Sequence, residues 1–369
     1  MKRFLLAILM LSMFIFFSCD RRDTRGDSEG LNVVTTIFPA FDFVRQVAGD
    51  RVNLTMLIPP GVDAHFYEPS PRDIIAIHNS DVLFHVGGGV DRWVGRILHS
   101  LDTDDIRVIA MMDMVDFVEK EVVEGMQVAH HHHGHGHGHH GHDDHHHGHG
   151  HHGHDAHHEH GHGHGHHGHD HHHGHGHGHG HGHGHGHAHD EGCGIYDEHV
   201  WTSPRNAILI VQQLTEVLSE ADPPNAYFFR QNATAFIEEL RRLDAAFTEI
   251  VENAVRRTIV FADRFPFRYF VDAYGLTYFA AFAGCSVQTD ASAATIAFLI
   301  NRIREEQIPV VFHIEFSNER IADTISRETG ARKRLFHSVH NITRSELDEG
   351  IGYLEIMWRN AEVLREALL

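Results

Sequence analysis

A run of histidine cuts this chain in two. Of its 43 histidines, only His65, His78, His85, His99, His199, His313, His337 and His340 lie outside residues 130–189. The other 35 are interleaved with Gly and a few Asp. Such a segment has almost no apolar side chain to bury and cannot offset its ordering entropy. It is therefore expected to be disordered and to stand as an insertion between folded parts. Neutral imidazole is a good ligand for zinc, copper and nickel, and a mobile polyhistidine offers many overlapping sites. A plain spacer would need the glycine and gain nothing from the imidazole, so metal capture is the better reading. The tract alone does not identify the metal, because affinity order favours copper over zinc.

The first residues place the chain outside the cytoplasm. Lys2 and Arg3 precede an apolar run from Phe4 to Phe17, closed by Ser18-Cys19. A positive start, an apolar stretch too short to span a bilayer and a small residue at the end describe a secretory signal. Cysteine directly after Ser18 points to a lipoprotein signal over residues 1–19, with Cys19 lipidated. An ordinary cleaved signal or an uncleaved anchor is the alternative. Residues 20–30 are small and polar and suit a flexible tether. The formal charge of -21 argues against nucleic acid and for cationic ligands. With Cys19 spent on lipid, Cys193 and Cys285 are the one pair left for a disulfide in an oxidising compartment, which the sequence alone leaves open.

On either side of the tract, strands alternate with helices. Val33–Thr36, Val52–Ile58, Val82–Val86 and Val108–Ala110 read as strands, with helices Phe41–Ala48, Pro71–Ile77 and Trp93–Leu101 between them. After the tract, Ser203-Pro204 opens a helix to about Leu218. A long helix from Ala226 to about Arg256 follows, with Phe229, Ala233, Phe236, Leu240, Leu243, Phe247 and Ile250 at spacings of three and four. Strands Thr258–Ala262, Tyr278–Phe282 and Val310–Phe312 then alternate with helices Phe267–Tyr274, Ser292–Glu306 and Ser317–Thr329. One helix from about Ser345 to Leu369 closes the chain. This alternation implies an α/β fold of two lobes, each with a mainly parallel sheet flanked by helices. The expected boundaries are 31–224 for the first lobe with its insertion, 225–256 for a rigid connecting helix and 257–369 for the second lobe.

Three short motifs carry a histidine at a strand end or in a loop, where ligand sites form in parallel α/β folds. They are Pro59-Pro60-Gly61-Val62-Asp63-Ala64-His65-Phe66-Tyr67-Glu68-Pro69-Ser70, Asp197-Glu198-His199-Val200-Trp201-Thr202-Ser203-Pro204, and Leu335-Phe336-His337-Ser338-Val339-His340. Each histidine taken alone is more simply an exposed loop residue. Together the motifs resemble the cluster A-I metal-binding proteins of ABC importers, the zinc-uptake proteins of the ZnuA and TroA type. The stretches DPPNAYFFRQNATAFIEELRRLD, YFVDAYGL and RIADTISRETGA are similar to that family's connecting helix and second lobe, so the resemblance covers nearly the whole mature chain.

The resemblance implies a metal between the lobes, with His65 and His199 as ligands and His337 at the position usually held by Asp. It also implies two partners, the permease and the ATPase of an ABC importer, with the chain itself a monomer anchored to the membrane. One departure stands out. The family's third ligand, His or Glu, falls on Arg264, and a guanidinium has no lone pair to give a cation. A salt bridge from Arg264 to a nearby carboxylate, shaping the cleft wall, is the expected substitute. That leaves His65, His199 and His337 with an open place for Asp263, a water or a tract histidine, and keeps His313, Glu315 and His340 in reserve. His78, His85 and His99 read as ordinary surface or core residues.

Three imidazoles with at most one oxygen suit tetrahedral zinc, whereas manganese prefers oxygen-rich shells of higher coordination. Zn2+ is thus expected as transported cargo, with Mn2+ less favoured. Three histidines and an open place are also the arrangement of a hydrolytic zinc enzyme. No HExxH, nucleophile motif or isolated general base accompanies them, so the chain reads as a binding protein and not an enzyme. A surface storage or adhesion lipoprotein would use the tract and leave two organised lobes without a purpose.

Overall fold

The computed structural model describes residues 30–101, 105–126, 195–284 and 290–369. Cys19, Cys193, Cys285, the signal, residues 20–29 of the tether and the histidine tract lie outside the described residues.

The first half builds a four-stranded sheet in the order β2-β1-β3-β4, all parallel, from β1 (Leu31–Thr35), β2 (Val52–Met56), β3 (Val82–His85) and β4 (Arg107–Ala110). Helices α1 (Phe38–Ala48), α2 (Pro71–His78) and α3 (Arg92–Ser100) make the crossovers. Two of the starts have a local cause. Pro39 sits in the first turn of α1, and α2 opens with Pro71 inside a capping box in which Ser70 and Asp73 satisfy each other's backbone N–H.

Helix α4 (Pro204–Ala221) then packs along α5 (Ala226–Glu252). At 27 residues and 1.5 Å per residue, α5 is about 40 Å long. Its apolar stripe buries Phe229, Phe236, Leu240, Leu243, Phe247 and Ile250. It touches α1 and α4 of the first half and α6 (Arg268–Tyr274) and α10 (Tyr353–Leu368) of the second. A single helix packed on both halves links them.

The second sheet repeats the first, in the order β6-β5-β7-β8, again all parallel. Its strands are β5 (Thr258–Phe265), β6 (Thr277–Ala283), β7 (Val310–His313) and β8 (Arg332–Leu335), with α7 (Ala293–Glu305), α8 (Arg320–Thr329) and α9 (Arg344–Asp348) completing the layers. In both sheets the first strand lies centrally, with its successors on opposite sides. That places a switch point between β1 and β3 and another between β5 and β7, where side chains beyond the strand ends face open space.

Phe261, Phe267, Phe312 and Phe336 pack ring on ring beneath the second sheet, with centroids 4.9–5.8 Å apart. Tilted aromatic pairs at such distances contribute about 0.5–1.5 kcal/mol each beyond their burial. The cluster fixes Phe336, and with it the chain that leaves β8.

Two features differ from the sequence reading. Strand β8, Arg-Lys-Arg-Leu, has no apolar alternation because it is an edge strand held by charge. Arg332 and Arg334 pair with Glu366, and Lys333 pairs with Glu319 and Asp323. The closing helix is also broken, because Gly350 takes φ +78 and separates α9 from α10. Among the described residues no helix is long and apolar enough to cross a membrane.

Candidate metal centre

The loop after β2 turns at Pro59-Pro60-Gly61, where Gly61 takes φ +82. It then runs into a single 3-10 turn, Ala64–Phe66, capped by Asp63. One carboxylate oxygen of Asp63 accepts the backbone N–H of His65 at 3.0 Å and meets its Nδ1 at 2.8 Å. The arrangement recurs in the segment before α4. Oδ1 of Asp197 accepts the backbone N–H of His199 and meets its Nδ1, both at 2.9 Å, and the 3-10 turn Val200–Thr202 follows.

Burial alone would raise the Asp63 and Asp197 carboxyls. The pull of their histidines and of the hydrogen bonds these make, with Arg264 acting on Asp63, overcomes it and holds both below the usual range, Asp63 well below. An ionised carboxylate can only accept, so each Nδ1 carries the proton and each Nε2 keeps a bare lone pair. The spacing Asp-x-His, present twice, is thus a device for aiming a ligand nitrogen.

The third histidine comes from the chain leaving β8. Glu315, just past β7, accepts from both the backbone N–H and the hydroxyl of Ser338. Ser338 Oγ accepts from the His340 backbone at 3.3 Å, and Trp201 Nε1 donates to the Ser338 carbonyl at 2.9 Å. Val339 is held at φ +62, a costly conformation for a β-branched residue, which these bonds maintain around it. Asn341 then spans the two halves, donating to the carbonyls of Pro59 at 2.7 Å and Val62 at 2.8 Å, while Gly61 donates to the Ile342 carbonyl at 2.8 Å. The loop bearing His340 is thereby tied to the loop bearing His65.

The result is three rings around one point. Centroids are 6.1 Å apart for His65 and His199, 5.2 Å for His65 and His340, and 5.8 Å for His199 and His340. One ligand atom from each lies within 4.8 Å of the others, and among the described residues Nε2 of all three is buried without a hydrogen-bond partner. Three orphaned, buried imidazole nitrogens are costly unless something with an empty orbital meets them. Burial pushes His340 well below the ordinary histidine range, so it stays neutral and ready to ligate. A tetrahedral zinc with bonds of about 2.0–2.1 Å needs nitrogens about 3.3 Å apart, so each would close in by under about 1 Å.

His337 is not part of this group. Its Nδ1 accepts the backbone N–H of Val339 at 2.9 Å and lies 3.6 Å from Glu315, while Asn360 bonds its backbone on both sides. The structure brings His340, three residues on, to His65 and His199 in its place. Reading the third motif alone could not choose between them, because the left-handed turn at Val339 decides which ring faces the cleft.

Arg264 lines the same cavity and donates through Nη1 to the second oxygen of Asp63 at 3.1 Å. It follows a register shift in β5 that begins after Phe261, the kind of bulge that re-aims a strand side chain. Asp263 is turned to the backbone instead, accepting from Arg264 N at 2.8 Å and Ile314 N at 3.4 Å, with its carboxyl raised by burial. His313, also buried, contacts the Ile314 carbonyl at 3.2 Å. His78 and His99 are exposed, and His85 pairs with Asp91 at 3.4 Å. Gly284, unmarked in the sequence, packs on the site, since a Cβ there would sit 3.2 Å from His199 Cε1 and 2.7 Å from the Phe265 carbonyl.

Residues 33–367 match the family model described as zinc-uptake complex component A, periplasmic. The chain is 27% identical over 367 residues to the zinc-binding lipoprotein AdcA of Streptococcus pneumoniae, a match covering 99% of this chain and 61% of that protein. It is 26% identical over 368 residues to the high-affinity zinc uptake system protein ZnuA of Bacillus subtilis, covering 99% and 97% of the two chains. Among solved structures, the Zn(II)-bound ZnuA-like domain of Streptococcus pneumoniae AdcA superposes with a TM-score of 0.65 at 24% identity, over 92% of this chain and 99% of that one, a likeness of fold. The chain belongs to the family of periplasmic A components of zinc-uptake complexes.

Proposed function

We propose that this chain captures one Zn2+ in the cleft between its two sheets, on Nε2 of His65, His199 and His340, and hands it to the permease and ATPase of an ABC importer. The observation that carries the reading is the convergence of three buried, unpartnered Nε2 atoms, two of them aimed by an aspartate two residues earlier. An all-nitrogen set favours zinc over manganese, and the relatives' names, zinc-binding lipoprotein and high-affinity zinc uptake protein, support zinc as the cargo.

Cys19 tethers the mature chain to the outer face of the membrane, and the histidine tract collects or buffers metal for the cleft. Capture and release is the whole activity; the metal is cargo and no bond of a second substrate is broken.

The test is delivery. Membrane vesicles carrying the permease and ATPase should take up radioactive zinc in an ATP-dependent way when supplied with the zinc-loaded chain, and the His199→Ala chain should support little uptake. Equal uptake with both chains would refute the proposal.

A further inference from the structure

We infer that the fourth place on the bound metal is filled by a small monovalent anion from solution, held there by Arg264. This rests on the three-histidine reading above and asks what completes it.

Among the described residues no carboxylate joins His65, His199 and His340 within ligand distance. The acidic groups around them are committed elsewhere. Asp63 is shared between His65 and Arg264, Asp197 orients His199, both oxygens of Glu315 hold Ser338, and Asp263 serves backbone N–H groups. Neutral imidazoles bring no charge, so a dication on them keeps its full charge apart from what the outer aspartates offset. Beside it, lining the same cavity, stands a permanent cation, Arg264.

The guanidinium meets Asp63 through Nη1 and lines the cavity that His65, His199 and His340 also line. It carries five N–H groups in a planar fork, so its one hydrogen bond among the described residues leaves donors to spare. Asp63 already neutralises part of its charge and holds the fork in place. A halide or pseudohalide bonded to the metal and accepting from Arg264 would complete a tetrahedron and offset the dication in one step. A water ligand could accept the same hydrogen bond but would not reduce the charge.

The probe is Co2+, whose visible absorption reports tetrahedral ligands, added at one equivalent to the full chain. The spectrum of the His199→Ala chain is subtracted to isolate the cleft. Thiocyanate or chloride is then titrated at fixed ionic strength, and zinc affinity is measured in the same salts by chelator competition. The cleft spectrum should shift with saturation. Zinc affinity should rise toward tenfold per tenfold increase in anion, about the linkage of one anion per metal. In Arg264→Gln both responses should fall severalfold, and Arg264→Lys, which keeps the charge, should restore part of them.

If no His199-dependent spectrum appears, the three-histidine reading itself fails. If it appears and ignores anions, or responds equally in Arg264→Gln, the inference is overturned and water or a tract histidine holds the fourth place.

Discussion

Arg264 reaches Asp63 from the other half of the molecule, Nη1 to Oδ2 at 3.1 Å, while the opposite oxygen of that carboxylate meets His65. A strand end of the second sheet thus steadies a histidine carried by the first. Asp63→Asn removes the charge that fixes the His65 tautomer and strands the guanidinium. Zinc affinity should drop by about 10–100-fold, the usual cost of losing an outer-shell partner. Chelator competition at one equivalent of zinc measures it, and an unchanged affinity would mean that His65 is oriented by packing alone.

Gly284 makes a different demand, for space. With a Cβ placed 2.7 Å from the Phe265 carbonyl and 3.2 Å from His199 Cε1, alanine must displace backbone or ligand. Gly284→Ala is expected to weaken zinc binding about tenfold and to destabilise the apo chain by about 1–3 kcal/mol. Thermal melts with and without zinc separate the two effects. A variant that melts and binds like the parent would show that the segment relaxes freely.

His337 and His340 should part company on substitution. His340→Ala removes a converging Nε2 and should reduce zinc affinity by orders of magnitude, because two imidazoles cannot hold a tight tetrahedron. His337→Ala removes the acceptor of the Val339 N–H, which sustains the left-handed turn. It should cost stability, about 1–3 kcal/mol, with a smaller loss of affinity. The reverse ranking in a chelator titration would return the metal to His337.

Acid should expose the cap of α2. Asp73 accepts from Tyr67 Oη at 2.7 Å and from Ser70 N. Burial would raise its carboxyl, but the Ser70 and Tyr67 bonds overcome that and hold it below its ordinary value of 3.8. A group with a depressed folded pKa stabilises fully above its unfolded value, and the contribution is lost as pH falls through the folded one. Asp73→Asn should therefore cost about 1 kcal/mol at pH 7, and urea melts should show the deficit shrinking below about pH 4. A deficit constant down to pH 2.5 would contradict the assignment.

Much of this architecture is legible in the sequence. The α5 stripe and the short apolar strands of both sheets are local patterns. Strand β8 is not, because ion pairs to Glu366, Glu319 and Asp323 hold it at an edge where no alternation is needed. His65 and His199 could be read from loop motifs that resemble the zinc-uptake family, while the role of the Asp two residues before each emerges only in the structure. His340 could not, since its direction depends on Val339 and on the grip of Glu315 on Ser338, contacts between segments far apart in the chain. Arg264 was legible as a residue unable to ligate, while its partner, Asp63, emerged only when the halves were brought together.

The most direct measurement is a crystal of the zinc-loaded protein with anomalous scattering recorded at the zinc edge. One strong peak in the cleft should lie about 2.0–2.1 Å from Nε2 of His65, His199 and His340. A peak coordinated by His337 or Asp263 in place of His340, or no cleft peak from protein that binds zinc tightly in solution, would contradict it.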